Sequence, residues 1–298
     1  MKENRIMPVF GNSFLSMYEK EGYALVSGVL TQKDLDPLRS VIERAVDDLA
    51  HKLKSEGKIA SLFENEPFER RMAAMFEGTG TGFRNWDPVI FTKELYDLIC
   101  HPGILAMLEP LIGPNIMFNG DYHLRPKLPE SHMTAFPWHQ DSQYYGKQTE
   151  HMHIVTLTVA LVDTDEENGC LWFIPGSHRW GYVEAVKGED MNMRPLEDVE
   201  ARGTAVPALM KTADLMPFHN LTFHCSKLNT SKKVRWTLDL RYSASLGSKP
   251  MTKEEQEAYE YLLPRFPALG YVNYIVQGIG GRTPWEEVQK QYRALKDK

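Results

Sequence analysis

The sequence predicts a mainly β protein with flanking α-helices. Apolar residues recur at helical spacing near the start of the chain. Short strand-like runs separated by polar turns fill the middle, from residue 117 onward, and helical patterns return after residue 250. This order, with helices before and after a block of strands, is typical of a β core covered by helices.

The first predicted elements are a short buried strand at 23–30 and an amphipathic helix after it. The helix has Thr31 as its N-cap and ends at Gly57, and apolar residues recur on one face in between. Residues 58–91 lack clean periodicity and contain the run Gly-Thr-Gly-Thr-Gly at 78–82, so we expect an irregular excursion there.

Further helices and the strand block follow. Helices are predicted at Lys93–Cys100, Ile104–Ile112 and Lys253–Leu262, with a last one starting at a capping box in Thr283–Glu286. Strands are predicted at Ile154–Val162, Cys170–Ile174, Asn220–His224 and Val234–Tyr242, with a loop-rich connection at 182–215. In the last strand apolar residues alternate with Arg235, Thr237, Asp239 and Arg241, which gives one apolar and one charged face.

Composition and charge exclude several classes of function. The 298 residues carry 34 Lys and Arg against 40 Asp and Glu, a net charge of -6 that leaves no basic surplus for a nucleic-acid partner. No window approaches the roughly 18 apolar residues of a membrane span. The 3 cysteines are widely spaced and odd in number, which disfavours a disulfide scaffold and a thiolate zinc site.

We expect a single domain over residues 1–298 in a reducing, cytoplasmic location. Met1–Phe10 is followed by no apolar signal region, and the last four residues are not a peroxisomal or ER-retention signal. The chain is long enough to bury a sizeable core.

The most informative segment is Trp138-His139-Gln140-Asp141. In a strand, residues two apart project to the same face, so His139 and Asp141 can present an imidazole and a carboxylate to one metal ion. A single His-x-Asp pair occurs by chance in many chains of ordinary composition, so this pair alone is weak evidence.

A second segment, containing His224 and Ser226 and followed by Arg235, strengthens the metal hypothesis. Two histidines and one carboxylate form the facial triad that leaves metal positions open, as non-haem Fe(II) oxygenases require. An arginine on a neighbouring strand offers a bidentate fork for the remote carboxylate of a dicarboxylic co-substrate. Arg241 lies on the same face as Arg235 and is the alternative fork.

These segments resemble the phytanoyl-CoA dioxygenase family of Fe(II)/2-oxoglutarate-dependent oxygenases, over about residues 17–245. Four motifs match in order: Glu19–Leu38, Trp138–Asp141, Glu167–Leu171 with Ile174–His178, and His224-x-Ser226 with Asn229, Ser231, Arg235 and Tyr242. The resemblance implies a double-stranded β-helix, the jelly-roll core shared with cupins. Residues 246–298 would then form a C-terminal helical extension.

The resemblance also implies roles for individual residues. His139, Asp141 and His224 correspond to the iron ligands, and Arg235 to the residue that pairs with the 5-carboxylate of 2-oxoglutarate. Supporting or co-substrate positions fall on Ser226, Gln140, Thr158 and Lys127. The cofactors implied are Fe(II), 2-oxoglutarate and O2, used to hydroxylate, desaturate or cyclise an unactivated C–H while 2-oxoglutarate becomes succinate and CO2. Asp141 stands where halogenating relatives have a small residue, so we do not expect chloride ligation.

The substrate is open at this stage. Residues 58–91 are rich in Phe, Met and Trp and form a candidate substrate lid, which predicts a small, largely apolar molecule such as a natural product or lipid-like metabolite. The apolar segment 271–276 is a candidate homodimer contact. Two other functions stay open: a catalytically silent binding protein, and a cupin-like metal isomerase indifferent to 2-oxoglutarate.

Overall fold

The computed structural model describes residues 12–77, 85–246 and 250–297. The predicted glycine run at 78–82, with Phe83 and Arg84 of the candidate lid, lies outside the described residues, as does Met1–Phe10. The helices are α1 (Asn12–Glu21), α2 (Gln32–Ser55), α3 (Phe68–Phe76), α4 (Asp87–Ile90), α5 (Lys93–Ile99), α6 (Pro102–Ile112), α7 (Ser142–Tyr145), α8 (Lys253–Leu262) and α9 (Trp285–Lys296).

The strands form two antiparallel sheets and one hairpin. They are β1 (Ile116–Lys127), β2 (Phe136–His139), β3 (Ile154–Ala160), β4 (Leu171–Phe173), β5 (Ala185–Lys187), β6 (Met193–Pro195), β7 (Val206–Pro207), β8 (Leu215–His219), β9 (His224–Ser226), β10 (Arg235–Ala244) and β11 (Tyr274–Gln277). The larger sheet has the order β11-β1-β10-β3-β8 and the smaller one β2-β9-β4-β7. Non-sequential neighbours in both sheets are expected of a jelly roll, and the predicted β core is confirmed.

The main hydrophobic core lies between the N-terminal helices and the outer face of the larger sheet. Leu35 and Ile42 of α2 and Met107 of α6 belong to the same buried cluster as Trp236 and Leu240 of β10. Because side chains alternate along a strand, the odd-numbered residues of β10 face the opposite way, toward the smaller sheet. The charged residues of β10 therefore line an internal cavity.

Helix α2 starts and ends where the sequence predicts. Thr31 is the N-cap and forms a capping box with Asp34, and Gly57 follows the helix with φ of +69°. The described parts of residues 58–91, which are 58–77 and 85–91, contain more regular structure than predicted, since they include α3 and α4. Met72, Met75 and Trp86 of this segment are buried in the main core.

Three local predictions are wrong. Residues 23–30 form no strand, because only Tyr23 and Val26 make isolated bridges, to Phe218 and Leu215. Of the predicted strand Asn220–His224 only His224 lies in a strand, as the first residue of β9. Residues 220–223 form a tight turn between β8 and β9, because the Asn220 side chain is held by Ile154 N, Ser142 Oγ and Thr149 O. The last helix has no capping box and starts at Trp285 after Pro284. Thr283 instead exchanges hydrogen bonds with Ile275 of β11.

The candidate dimer segment is used within the chain. It contributes β11, which pairs with β1, and Tyr274 and Val276 are buried. All three cysteines are free and buried. No single helix in the described ranges is long and apolar enough to cross a membrane; only α5 and α6 together, bent by 45°, reach that length and composition.

Candidate metal centre and active site

The two predicted histidines lie opposite each other on neighbouring antiparallel strands. His139 is the last residue of β2 and His224 the first of β9, and the register pairs them directly. Directly paired residues project to the same face of a sheet, so the two rings lie with their centroids 4.1 Å apart. Asp141 follows two residues after His139, at the N-cap of α7.

The three side chains direct their donor atoms at one point. Asp141 Oδ1 lies 3.9 Å from His139 Nε2 and 3.7 Å from His224 Nε2, and one donor atom from each residue lies within 4.8 Å of the others. All three residues are buried. Two imidazoles and a carboxylate fit Fe(II), and three protein ligands leave positions open for other molecules.

Hydrogen bonds to main-chain carbonyls orient both imidazoles. Nδ1 of His139 donates to Pro137 O at 2.8 Å, and Nδ1 of His224 donates to Thr222 O at 3.0 Å, which leaves each Nε2 as a lone-pair donor. Burial, and next the neighbouring His224, lowers the pKa of His139 to about 3; burial also lowers the pKa of His224. Both rings are therefore neutral at physiological pH, as metal ligation requires.

Asp141 is held in place by two further side chains. Arg241 Nε lies 3.1 Å from Asp141 Oδ2, and Thr156 Oγ1 donates to the same oxygen. Burial alone raises the pKa of Asp141, but Arg241 and the histidines outweigh that effect and keep the pKa below its ordinary value. The carboxylate is thus ionised and oriented before any metal binds.

A chain of buried and half-buried ionisable groups continues away from Asp141. Arg241 Nη1 forms an ion pair with Asp121 Oδ1 at 3.2 Å, Asp121 Oδ1 lies 2.9 Å from His123 Nε2, and His123 Nδ1 lies 2.8 Å from Asp87 Oδ2. The sequence analysis missed Asp121 and His123. The available signal was the alternation of charged residues along β1, at 121, 123, 125 and 127, which places them on one strand face.

Arg235 lies on the opposite side of the same cavity. It is the first residue of β10 and pairs in register with Lys127 of β1. Arg235 is 4% exposed, and its Nε has no hydrogen-bond partner among the described residues. Burial lowers the pKa of Arg235 to about 10, so the side chain stays charged. A buried guanidinium with an unused donor indicates a site for an anion.

Lys127 and Ser226 complete this corner. Lys127 Nζ donates to Ser226 Oγ at 3.0 Å and to Lys227 O at 2.6 Å. Burial, and next the charge of Arg235, lowers the pKa of Lys127 to about 6. Asn229 donates to the carbonyls of Lys127 and Lys233, which fixes the loop between His224 and Arg235.

The metal triad and the Arg235 corner share one cavity of about 380 Å³, which we call the metal cavity. Its wall includes His139, Asp141, His224, Ser226, Arg235 and Arg241. Of the two arginines on this face of β10, Arg241 already neutralises two carboxylates, Asp141 and Asp121. Arg241 Nη1, like Arg235 Nε, has no hydrogen-bond partner among the described residues, but only Arg241 is compensated by carboxylate ion pairs, which favours Arg235 as the fork.

The structure does not bring Gln140 and Thr158 to the wall of this cavity. The Gln140 amide donates to Gly181 O and Leu221 O and accepts from Val183 N. Both the nitrogen and the oxygen of this side-chain amide are therefore hydrogen-bonded to the main chain. Thr158 donates to Asp239 Oδ1 at 2.7 Å. Their geometry supports structural roles, with Gln140 fixing the loop after β2 and Thr158 orienting Asp239.

His151, His153, His178 and His219 are not part of the triad. His151 is exposed, and His153 stacks on His219 with centroids 4.8 Å apart. His178 Nε2 lies 3.1 Å from Glu19 O.

Sequence comparisons identify relatives over most of the chain. The profile described as Phytanoyl-CoA dioxygenase (PhyH) matches residues 18–237. The peroxisomal phytanoyl-CoA dioxygenase of Bos taurus is 24% identical over 253 residues, which cover 81% of this chain and 70% of the bovine protein. The ectoine dioxygenase of Nocardia farcinica is 20% identical over 208 residues, covering 62% of this chain and 60% of that protein.

Solved structures share the fold. The epimerase SnoN in complex with Fe3+, alpha ketoglutarate and nogalamycin RO superposes with a TM-score of 0.52 at 21% identity, covering 78% of this chain and 82% of SnoN. EctD from S. alaskensis with bound Fe gives a TM-score of 0.53 at 18% identity, covering 80% of this chain and 78% of EctD. With the profile match across most of its length, this chain belongs to the phytanoyl-CoA dioxygenase family and is an oxidoreductase of the dioxygenase class.

Proposed function

We propose that the protein is a non-haem Fe(II)/2-oxoglutarate-dependent dioxygenase that oxidises an unactivated C–H of a small, largely apolar metabolite. The reaction is hydroxylation, or desaturation or cyclisation by the same oxidant. The observation that carries the proposal is the shared cavity, in which a preformed triad of His139, Asp141 and His224 lies with the unpartnered guanidinium of Arg235.

The residues of the cavity have separate tasks. His139, His224 and Asp141 bind Fe(II), and Arg241 with Thr156 keeps the Asp141 carboxylate ionised and in position. Arg235 binds the 5-carboxylate of 2-oxoglutarate, and Ser226 supports it. When bound, Fe(II) with 2-oxoglutarate and O2 supplies the oxidant for C–H cleavage as 2-oxoglutarate is converted to succinate and CO2. The protein positions the substrate carbon and excludes water, and no side chain acts as a nucleophile.

The structure supports a role in substrate binding for the candidate lid, but as a fixed wall rather than a moving lid. Phe76 and Trp86 of segment 58–91 line a cavity next to the metal cavity. Because α3 of that segment is packed into the core, we propose a fixed wall that selects substrates rather than a detachable flap. The three free, buried cysteines support the proposed cytoplasmic location, and the homodimer stays a prediction.

The test is an anaerobic titration of the metal-free protein with Fe(II) and then 2-oxoglutarate, followed by the visible charge-transfer band of the chelate. We expect the band in the wild type, no band in Asp141→Ala, and a requirement for at least about tenfold more 2-oxoglutarate in Arg235→Ala, because a charged hydrogen-bond pair contributes roughly 1.5–3 kcal/mol. Arg202→Ala, at an exposed arginine away from the cavity, is the matched control.

Iron binding without a band at saturating 2-oxoglutarate would favour the metal isomerase. The absence of succinate formation under every condition would favour the silent binding protein. Either result would overturn the proposed function.

A further inference from the structure

We propose that the substrate carries an anionic group, of the carboxylate class, that binds the terminal nitrogens of Arg125, while its apolar body occupies a second cavity beside the metal cavity. The inference rests on the proposed function and specifies its substrate class. It comes from the position of Arg125, from the lining of the second cavity and from the different contacts of Arg125 and Arg235.

Arg125 projects into the same interior space as Arg235. It lies on β1 opposite Thr237, so it shares the cavity-facing side of the larger sheet with the charged residues of β10. Its Nε lies 3.3 Å from Asp239 Oδ2, and its guanidinium carbon lies 4.9 Å from the Phe136 ring centroid. These contacts fix the guanidinium plane.

The remaining donors of Arg125 are unused. Among the described residues, no hydrogen bond reaches its two terminal nitrogens, and its side chain is 31% exposed. A fixed guanidinium whose terminal nitrogens face a cavity presents the fork that matches a carboxylate.

The second cavity, of about 290 Å³, follows the free edge of β1. Pairing with β11 ends at Phe118, so the edge from Tyr122 to Lys127 has no strand partner on that side within the described ranges. Described residues of α3 and of 85–87, with the turn His132–Thr134, cover this edge instead. The walls are apolar for most of their area, with Leu49, Met72, Phe76, Trp86, Leu128 and Met133.

Arg125 lies where the two cavities meet. It lines both of them, together with His123, Phe136 and Arg235. An acid bound to Arg125 can therefore place its chain in the apolar cavity and remain next to the metal cavity. A long apolar chain without a charged end would leave the Arg125 donors unpaired, which costs free energy.

Arg125 lines the same cavity as Arg235 but has different contacts. Arg235 pairs in register with Lys127, whose ammonium contacts Ser226, whereas Arg125 lies two residues away along β1 and contacts Asp239. One dicarboxylic co-substrate uses the metal at one end and Arg235 at the other, so a second arginine fork is available for another anion.

The experiment compares three probes of one chain length: octanoate, 1-octanol and n-octylammonium. Their binding is measured by isothermal titration calorimetry to the metal-free protein and to the anaerobic protein loaded with Mn(II) and 2-oxoglutarate. We expect wild type to bind octanoate at least about tenfold more tightly than 1-octanol, and n-octylammonium most weakly, because one charged hydrogen-bond pair contributes roughly 1.5–3 kcal/mol.

Arg125→Gln should reduce the preference for octanoate over 1-octanol to less than about twofold and leave the affinity for 2-oxoglutarate unchanged. The control variant is Lys187→Gln, which removes an exposed cation at the rim of the metal cavity and should keep the preference. A photoreactive octanoate with a diazirine at its far end should label peptides that contain Met72 or Met133.

Equal affinities for octanoate and 1-octanol in the wild type, or no binding of any probe, overturn the proposal. So does a preference that persists in Arg125→Gln or disappears in Lys187→Gln. A loss of 2-oxoglutarate affinity in Arg125→Gln reassigns Arg125 to the co-substrate site. Failure of wild type to bind 2-oxoglutarate instead overturns the proposed function, and the probe titrations of the metal-free protein still test the Arg125 site on its own.

Discussion

At the scale of single residues, Lys127 is a buried cation next to Arg235 that lines the second cavity rather than the metal cavity. It is 1% exposed, and its hydrogen bonds go to a hydroxyl and a carbonyl rather than to a carboxylate. Burial and the neighbouring Arg235 lower its pKa to about 6, so at pH 8 the side chain is mostly neutral. An anion that binds next to Lys127 favours its charged form and raises its pKa.

Binding of 2-oxoglutarate at pH 8 should therefore be accompanied by uptake of up to about one proton. Calorimetric titrations of the Mn(II)-loaded protein in buffers of different ionisation enthalpy measure this number directly. Lys127→Met should abolish the uptake, whereas Lys232→Met, at an exposed lysine, should retain it. A binding enthalpy that does not depend on the buffer in the wild type would contradict the assignment of Lys127 to the co-substrate corner.

The other perturbed groups form the chain from Asp141 through Arg241, Asp121 and His123 to Asp87. Burial and Arg125 lower the pKa of His123, but the carboxylates of Asp121 and Asp87 outweigh them and raise it. The chain links the metal ligand to the first turn of α4, at the end of segment 58–91. Each carboxylate in it faces a cation or a histidine, which reduces the cost of burying so many charges.

At the scale of secondary-structure elements, alternate side chains of β10 face the main core and the metal cavity. Residues on one face therefore stabilise the fold, and residues on the other face form the active site. Trp236 is fully buried in the main core and contacts Phe68 and Trp86 at ring-centroid distances of 5.3 and 5.5 Å. Arg235, one residue earlier, faces the metal cavity. A one-residue shift in register would exchange these two environments, so the pattern itself fixes the pairing.

Trp236→Ala should lower the free energy of unfolding by about 3–5 kcal/mol, since it removes a large buried side chain. In the fraction that stays folded, affinity for 2-oxoglutarate should be close to that of the wild type. Arg235→Ala should show the reverse, with weak co-substrate binding and a small change in stability. Urea unfolding of the metal-free variants, with 2-oxoglutarate titrations at low temperature, distinguishes the two; equal losses of both properties in both variants would contradict the separation.

The elements that could be predicted from the sequence are those with a strong local signal. Helix α2 carries a capping box and a regular apolar face, and α8 matches its predicted range. The turn at 220–223 could not be predicted, because its geometry depends on contacts of Asn220 and Thr222 with residues far away in the chain. Helix α3 was missed because its four buried residues lie on a short segment of only 9 residues.

The candidate site also has residues that could be predicted from the sequence and partners that could not. The triad and Arg235 belong to short motifs, and the pairing of β2 with β9 brings the two histidines together. The partner of each motif residue was not predictable: Thr156 and Arg241 on Asp141, and Asp239 on Arg125, come from strands whose register the sequence does not specify. Gln140 and Thr158 illustrate the converse, since their correspondence to family positions did not place them at the wall of the metal cavity.

At the scale of the whole molecule, the active site lies between the two sheets. The histidines belong to the smaller sheet and Arg235 to the larger one, so a co-substrate that reaches from the metal to Arg235 connects the two. A ligand that binds only the folded state stabilises it by about 2.7 kcal/mol at 100 times its Kd. Stabilisation should spread across both sheets only when both ends of the co-substrate are bound.

Hydrogen exchange measured by mass spectrometry should show this difference with Mn(II) in place of Fe(II). Mn(II) with 2-oxoglutarate should slow exchange in β2, in β9 and in residues 227–237, which lead into β10. The control is 2-oxobutyrate, which keeps the 2-oxo acid but lacks the distal carboxylate and should slow exchange in β2 and β9 only. Arg235→Ala with 2-oxoglutarate should resemble the wild type with 2-oxobutyrate. Equal protection of residues 227–237 by both acids would mean that the distal carboxylate binds elsewhere, and that the two sheets are connected by the protein alone.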